Sequence, residues 1–189
     1  MVPIRKLFGG MGNQMFQYAF LYALYLDGKI PNIYLQDEKY FFRHRNKIKE
    51  LYNGDIGSLN KISIHVRLGK NPAVPTEPAY VDNPFYNSLT KTDYYKKAME
   101  LFPSEKFLVF SDDIEQCKKM PVFKNCEFME GGTELEDFNT MASCKGHIIA
   151  NSSFSWWAAY VGGGKTVAPS NWYADGRDRT VIPSSWIRI

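Results

Sequence analysis

Apolar and polar positions along this chain recur with two different periods. From Lys61 to Leu68 the stretch KISIHVRL alternates strictly, with Ile62, Ile64, Val66 and Leu68 on one side and Ser63, His65 and Arg67 on the other. A period of two is that of a β-strand. KFLVF (106–110), CEFM (126–129), HIIA (147–150) and KTVAP (165–169) are further apolar runs of strand length, KTVAP being the expected last strand. Between them the spacing turns helical. Tyr95, Ala98, Met99 and Phe102 form one stripe behind a capping Thr92. Leu135, Phe138 and Ala142 form another behind Thr133 and Glu136, which have the spacing of a capping box. Strands alternating with helices from 61 to 169 predict parallel βαβ units, an α/β fold with a Rossmann-like sheet and helices on its faces.

The first third is less regular. VPIRKLF (2–8) reads as a short strand and GGMGNQ (9–14) as a tight turn. MFQYAFLYALYL (15–26) is apolar on every side, the mark of a buried helix. NIYLQDEKYFF (32–42) carries a short-strand pattern, and RHRNKIKE (43–50) reads as a charged helix face or a loop. A proline-rich loop with Pro72, Pro75, Pro78 and Pro84 follows the alternating strand.

Composition narrows the class. A chain of 189 residues makes one sizeable domain or two small ones, and 44% hydrophobic with 15% aromatic residues argues for a packed core. A net charge of +3 suits anionic small molecules and is too weak to indicate nucleic acid. Cys117, Cys126 and Cys144 are odd in number and form no CxxC pair. That indicates neither a disulfide framework nor a zinc site, and it points to a reducing compartment. The apolar segment 15–26 is too short to span a bilayer, and GGMGNQ stands where a signal peptide's apolar core should begin. The expectation is a soluble, cytoplasmic chain.

Open parallel sheets bind ligands outside the carboxyl ends of their strands. That rule gives three polar clusters one address. Arg67 ends the alternating strand, Ser111, Asp112 and Asp113 follow another, and Asn151, Ser152, Ser153 and Ser155 follow a third. Arg67, on the same strand face as His65, can pair with a surface carboxylate or grip a diphosphate. Asp112 and Asp113 can start a helix or accept hydrogen bonds from a purine nucleoside. The small polar residues of NSSFS can cap a helix, and the free amides of that helix start also suit phosphate. Gly10, Gly12 and Asn13 lie at a strand-to-helix turn that can be merely tight or can meet phosphate. Trp156 and Trp157 read as core residues.

Four segments in this order, GGMGNQMFQYA, IHVRLG, FSDDI and ANSSFSWWAAY, resemble the signatures of the α-1,2-fucosyltransferases, glycosyltransferase family 11. YLQDEKYF (34–41) and DYYKKAM (93–99) are similar to further family segments, so the resemblance covers nearly the whole chain. It implies a two-lobed GT-B-like arrangement, here with residues 1–60 as a reduced acceptor-side half and 61–189 as the half that binds the GDP-sugar. It implies GDP-β-L-fucose as donor and inverting transfer to the 2-hydroxyl of a terminal sugar such as galactose on a glycan acceptor. No metal and no other cofactor is implied, and peripheral contact with a membrane is compatible with the family. Carried over by motif, Arg67 binds the diphosphate with His65 beside it, and Asp112 or Asp113 contacts the guanosine. Asn151, Ser152, Ser153 and Ser155 lie near the phosphates, and Gly10, Gly12 and Asn13 close the cleft.

The chain departs from the family at IHVRLGK, where Leu68 replaces a second arginine and Lys70 an aspartate. It is also short between Leu24 and Lys61. Glu77 and Asp82, in the loop after Arg67, are the candidate general bases, and each can equally be an ordinary loop carboxylate. These departures leave a second expectation open, a non-catalytic GDP-sugar- or glycan-binding remnant.

Overall fold

A computed structural model describes residues 10–27, 41–52, 56–69, 79, 82, 84, 86–175 and 182–189. The expected strands at 2–8 and 32–40, Glu77 and Lys70 lie outside the described residues. Among the described residues, six α-helices and six strands run in the order α1 (Met11–Asp27), α2 (Arg45–Tyr52), β1 (Leu59–Val66), α3 (Tyr94–Glu100), β2 (Phe107–Ser111), α4 (Ile114–Lys118), β3 (Glu127–Phe128), α5 (Glu134–Ala142), β4 (Cys144–Ile148), α6 (Ser153–Gly162), β5 (Lys165–Ala168) and β6 (Ile187–Arg188). The strands form one sheet in the order β3-β2-β1-β4-β5-β6, with every pairing parallel. That is the Rossmann order, and it reverses direction between β1 and β4.

The alternation in β1 supplies two buried faces. Ile62, Ile64, Val66 and Leu68 join a core with Tyr94, Tyr95, Ala98 and Phe102 around α3. Ser63 and His65 point the other way and are also buried, at 1% and 6% exposure. Polar groups there need partners. The Ser63 hydroxyl meets His147 Nδ1 at 2.8 Å, and His65 Nδ1 meets the Ser155 hydroxyl at 3.0 Å.

Helix α6 has an apolar circumference, and Ser155 to Val161 are all buried. An aromatic cluster surrounds it. Phe16 of α1 lies 4.5 Å from Trp156 and 4.8 Å from Trp157 between ring centres, and Phe41 stacks on Trp157 at 5.5 Å. Ile48 of α2, Phe138 and Met141 of α5 complete the same core, so the described residues before 61 share a core with the helices of the sheet. Burying one such side chain stabilises by about 1.5–3 kcal/mol.

Several expectations shift. Helix α1 begins at Met11, so Gly12 and Asn13 are inside its first turn. Residues 45–52 form a helix with Ile48 buried and Tyr52 packed against Trp157. Thr92 accepts the Tyr94 N–H at 3.2 Å one residue ahead of the N-cap, Asp93. The capping box of Thr133 and Glu136 is present, but Leu135 is 60% exposed and Met141 faces inward instead. At 100° per residue Leu135 lies at the edge of the arc centred on Phe138, Met141 and Ala142, in a first turn that nothing covers. Strand β4 begins at Cys144 rather than His147. KTVAP is not the last strand, because Ile187 and Arg188 pair beside β5. Both of those residues are exposed, and a two-residue edge carries no period to read.

Candidate functional site

In a sheet of this order the ligand crevice lies outside the carboxyl ends of the strands that flank the reversal, here β1 and β4, which places it between Arg67–Gly69 and Asn151–Ser155. Arg67 leaves β1 one step past the last registered pair with β2, Val66 with Ser111. That register sets it beside Asp112, 45 positions away in sequence, and its Nη1 donates to Asp112 Oδ2 at 2.6 Å. Both side chains keep 22% of their surface exposed, so the guanidinium borders the crevice.

Across the crevice, α6 starts with Ser152 at its N-cap, and the Ser152 side chain makes no capping hydrogen bond. The first-turn amides of α6 are therefore not satisfied by that side chain, and they add partial positive charge to the guanidinium's. The Ser155 hydroxyl donates to the Ser152 carbonyl at 3.2 Å, so His65 Nδ1 carries the proton that Ser155 Oγ accepts. Burial lowers the His65 pKa to about 4, with Asp112 raising it and Arg67 lowering it further. His65 is thus a neutral imidazole at neutral pH. Its ring lies 5.7 Å from that of Phe154.

The N-terminus of α1 meets that of α6. The Ser153 hydroxyl donates to Asn13 Oδ1 at 2.9 Å. A Cβ on Gly12 would stand 2.5 Å from the Ser153 carbonyl carbon, so only glycine permits this approach. Gly10 is exposed, with nothing within 4 Å of such a Cβ, and does not share that constraint. Asn151 is buried and donates through Nδ2 to the carbonyls of Asn87 at 3.1 Å and Trp172 at 3.0 Å, holding two loops at the mouth of the crevice.

The other candidates fall elsewhere. Asp113 caps α4, accepting the Gln116 N–H at 3.0 Å. Asp82 is exposed and pairs with Lys91 at 3.2 Å. Tyr95 was expected only as a core residue, yet its hydroxyl donates to the His65 carbonyl at 3.0 Å and fixes the end of β1. Among the described residues, no three His, Cys, Asp or Glu side chains group so as to hold a metal ion, and no helix is long and apolar enough to cross a membrane.

Comparison with known proteins agrees with this picture. The sequence description of glycosyl transferase family 11 matches residues 42–189. Alpha-1,2-colitosyltransferase from Escherichia coli is 34% identical over 185 residues, covering 82% of this chain and 60% of that protein. O-antigen biosynthesis glycosyltransferase WbnK, also from Escherichia coli, is 27% identical over 187 residues, covering 82% of this chain and 59% of that protein. The chain thus spans about three-fifths of the length of these relatives. No solved structure matches it. The family description reaches from residue 42 to the last residue, and this chain belongs to glycosyl transferase family 11.

Proposed function

We propose that the crevice between β1 and β4 binds a GDP-sugar, GDP-β-L-fucose in the first instance. The sugar is transferred with inversion to the 2-hydroxyl of a terminal galactose on a glycan. Arg67 at the end of β1 and the start of α6, where the Ser152 side chain makes no cap, carry this reading, because both follow the two strands that flank the switch point. A guanidinium takes a diphosphate bidentately, and helix amides take the remaining oxygens. As the bond from sugar to diphosphate breaks, negative charge grows on the leaving GDP. Donors already in place stabilise that charge without rearranging. In this reading no metal is required, and turnover survives EDTA. His65, neutral and tethered through Nδ1, presents its other ring nitrogen as an acceptor rather than as a second cation. The acceptor hydroxyl attacks the anomeric carbon from the side opposite the diphosphate and loses its proton to solvent as the new bond forms.

Incubation with GDP-fucose and a panel of acceptors tests the proposal by free GDP and product mass. A GDP-colitose arm is included because one relative is named for colitose transfer. Turnover with fucose supports the donor assignment, and turnover with colitose alone moves it to the other sugar. A second reading is a non-catalytic GDP-sugar- or glycan-binding protein, favoured by Lys70 standing where the resemblance leads one to expect an aspartate. GDP binding without turnover on any acceptor would select it.

A further inference from the structure

Asp112 forms more hydrogen bonds inside the protein than a two-pronged contact with a purine edge leaves room for. Its Oδ1 accepts the Leu68 N–H at 2.8 Å, and its Oδ2 accepts both the Gly69 N–H at 2.8 Å and Arg67 Nη1 at 2.6 Å. A carboxylate has about four acceptor positions, and three are filled here by three consecutive residues after β1. The fit is close, since a Cβ on Gly69 would stand 2.7 Å from Asp112 Oδ2. A purine edge that donates two hydrogen bonds to one carboxylate needs a free position on each oxygen, and Oδ2 already holds two donors.

We infer that Asp112 is a positioning residue, which acts on the donor's diphosphate through Arg67 and does not itself hold the purine edge. This rests on the reading of the crevice as a nucleotide-sugar site. Asp112 bends the chain after Val66 by holding the Leu68 and Gly69 amides, and it aims the guanidinium that emerges just before them. Neutralising Asp112 removes the ion pair that sets the direction of the guanidinium. The shape of the crevice around α6 stays, because the serines and His65 do not depend on Asp112.

The test uses the whole chain and compares GDP, inorganic pyrophosphate and guanosine by calorimetry, for wild type and Asp112→Asn. The expected result is a tenfold or greater loss for GDP and pyrophosphate alike, with guanosine binding unchanged. With Arg67→Ala in place, adding Asp112→Asn should cost nothing further. A loss for GDP and guanosine with pyrophosphate unchanged would overturn the inference and return Asp112 to the nucleoside. Wild-type protein that binds neither GDP nor pyrophosphate would instead defeat the nucleotide-sugar reading. Asp112→Glu is the second variant, and partial recovery of pyrophosphate binding is expected from its restored charge. Should both variants unfold, hydrogen exchange in the wild type decides. Slow exchange at the Leu68 and Gly69 amides and at the Arg67 guanidinium is expected, and fast exchange there would sink the inference.

Discussion

At the scale of single residues, the crevice separates side chains that hold the fold from those that remain for a ligand. The Asp113 carboxylate caps α4, and the Asn151 amide holds two loops. Arg67 is ion-paired with Asp112 and still keeps 22% of its side chain exposed at the end of β1. Arg67→Ala is expected to weaken GDP binding by about 2–5 kcal/mol, the cost of leaving a buried phosphate charge unpaired. Calorimetry with GDP reads this directly, and unchanged affinity would remove Arg67 from the site. Ser152 makes a sharper case. Its side chain caps nothing, so Ser152→Ala should leave the melting temperature where it is. GDP binding should still fall, by about 1.5–3 kcal/mol for a hydrogen bond to a charged group. Thr133→Ala is the control, because that hydroxyl does cap a helix and its loss should cost about 1 kcal/mol of stability. A fall in melting temperature for Ser152→Ala with GDP affinity intact would reduce the serine to a cap.

At the scale of elements, the site depends on two helices starting at the same place. Helix α6 is held by aromatic packing on every side, and α1 is brought against it by Phe16 on the rings of Trp156 and Trp157. At the start of both helices the contact narrows to backbone against Gly12. Gly12→Ala would drive a methyl group into the Ser153 and Phe154 backbone and separate the two N-termini. A loss of about 1–3 kcal/mol in urea unfolding is expected, the usual cost of overpacking. Unchanged stability would show that α1 can retreat from α6 freely.

At the scale of the whole molecule, two imidazoles lie beneath α5 and α6, and burial sets their behaviour. His65 and His147 are both lowered by burial from the ordinary 6.5 to about 4. In the unfolded chain they take up protons near pH 6.5, whereas in the folded chain they stay neutral until about pH 4. Between those values the unfolded state binds more protons, so stability is complete above about pH 6.5 and declines as the pH falls towards 4. Melting temperatures measured from pH 7.5 to 4 should fall over that window. The fall should be shallower in His147→Gln, and an equal slope would mean His147 is not held neutral by the fold.

The α/β class, β1 with its two faces, the capping box and the buried tryptophans were legible in the sequence, because each rests on neighbours within a few positions. Period two in KISIHVRL and the spacing of Thr133 from Glu136 need no knowledge of the rest of the chain. The same local signals placed Arg67, Asp112 and the NSSFS serines at strand ends. Partners were another matter. Asp112 lies 45 positions from Arg67, Ser153 lies 140 from Asn13, and Ser155 lies 90 from His65. The order of strands in the sheet made the first and last of those pairs and the packing of α1 on α6 made the second, and no spacing along the chain records either. Whether a polar residue at a strand end binds a ligand or serves the fold depends on which of its hydrogen-bonding positions are already filled. Sequence supplies the chemical group and its address, and only the tertiary structure fills those positions, because the groups that fill them come from distant parts of the chain.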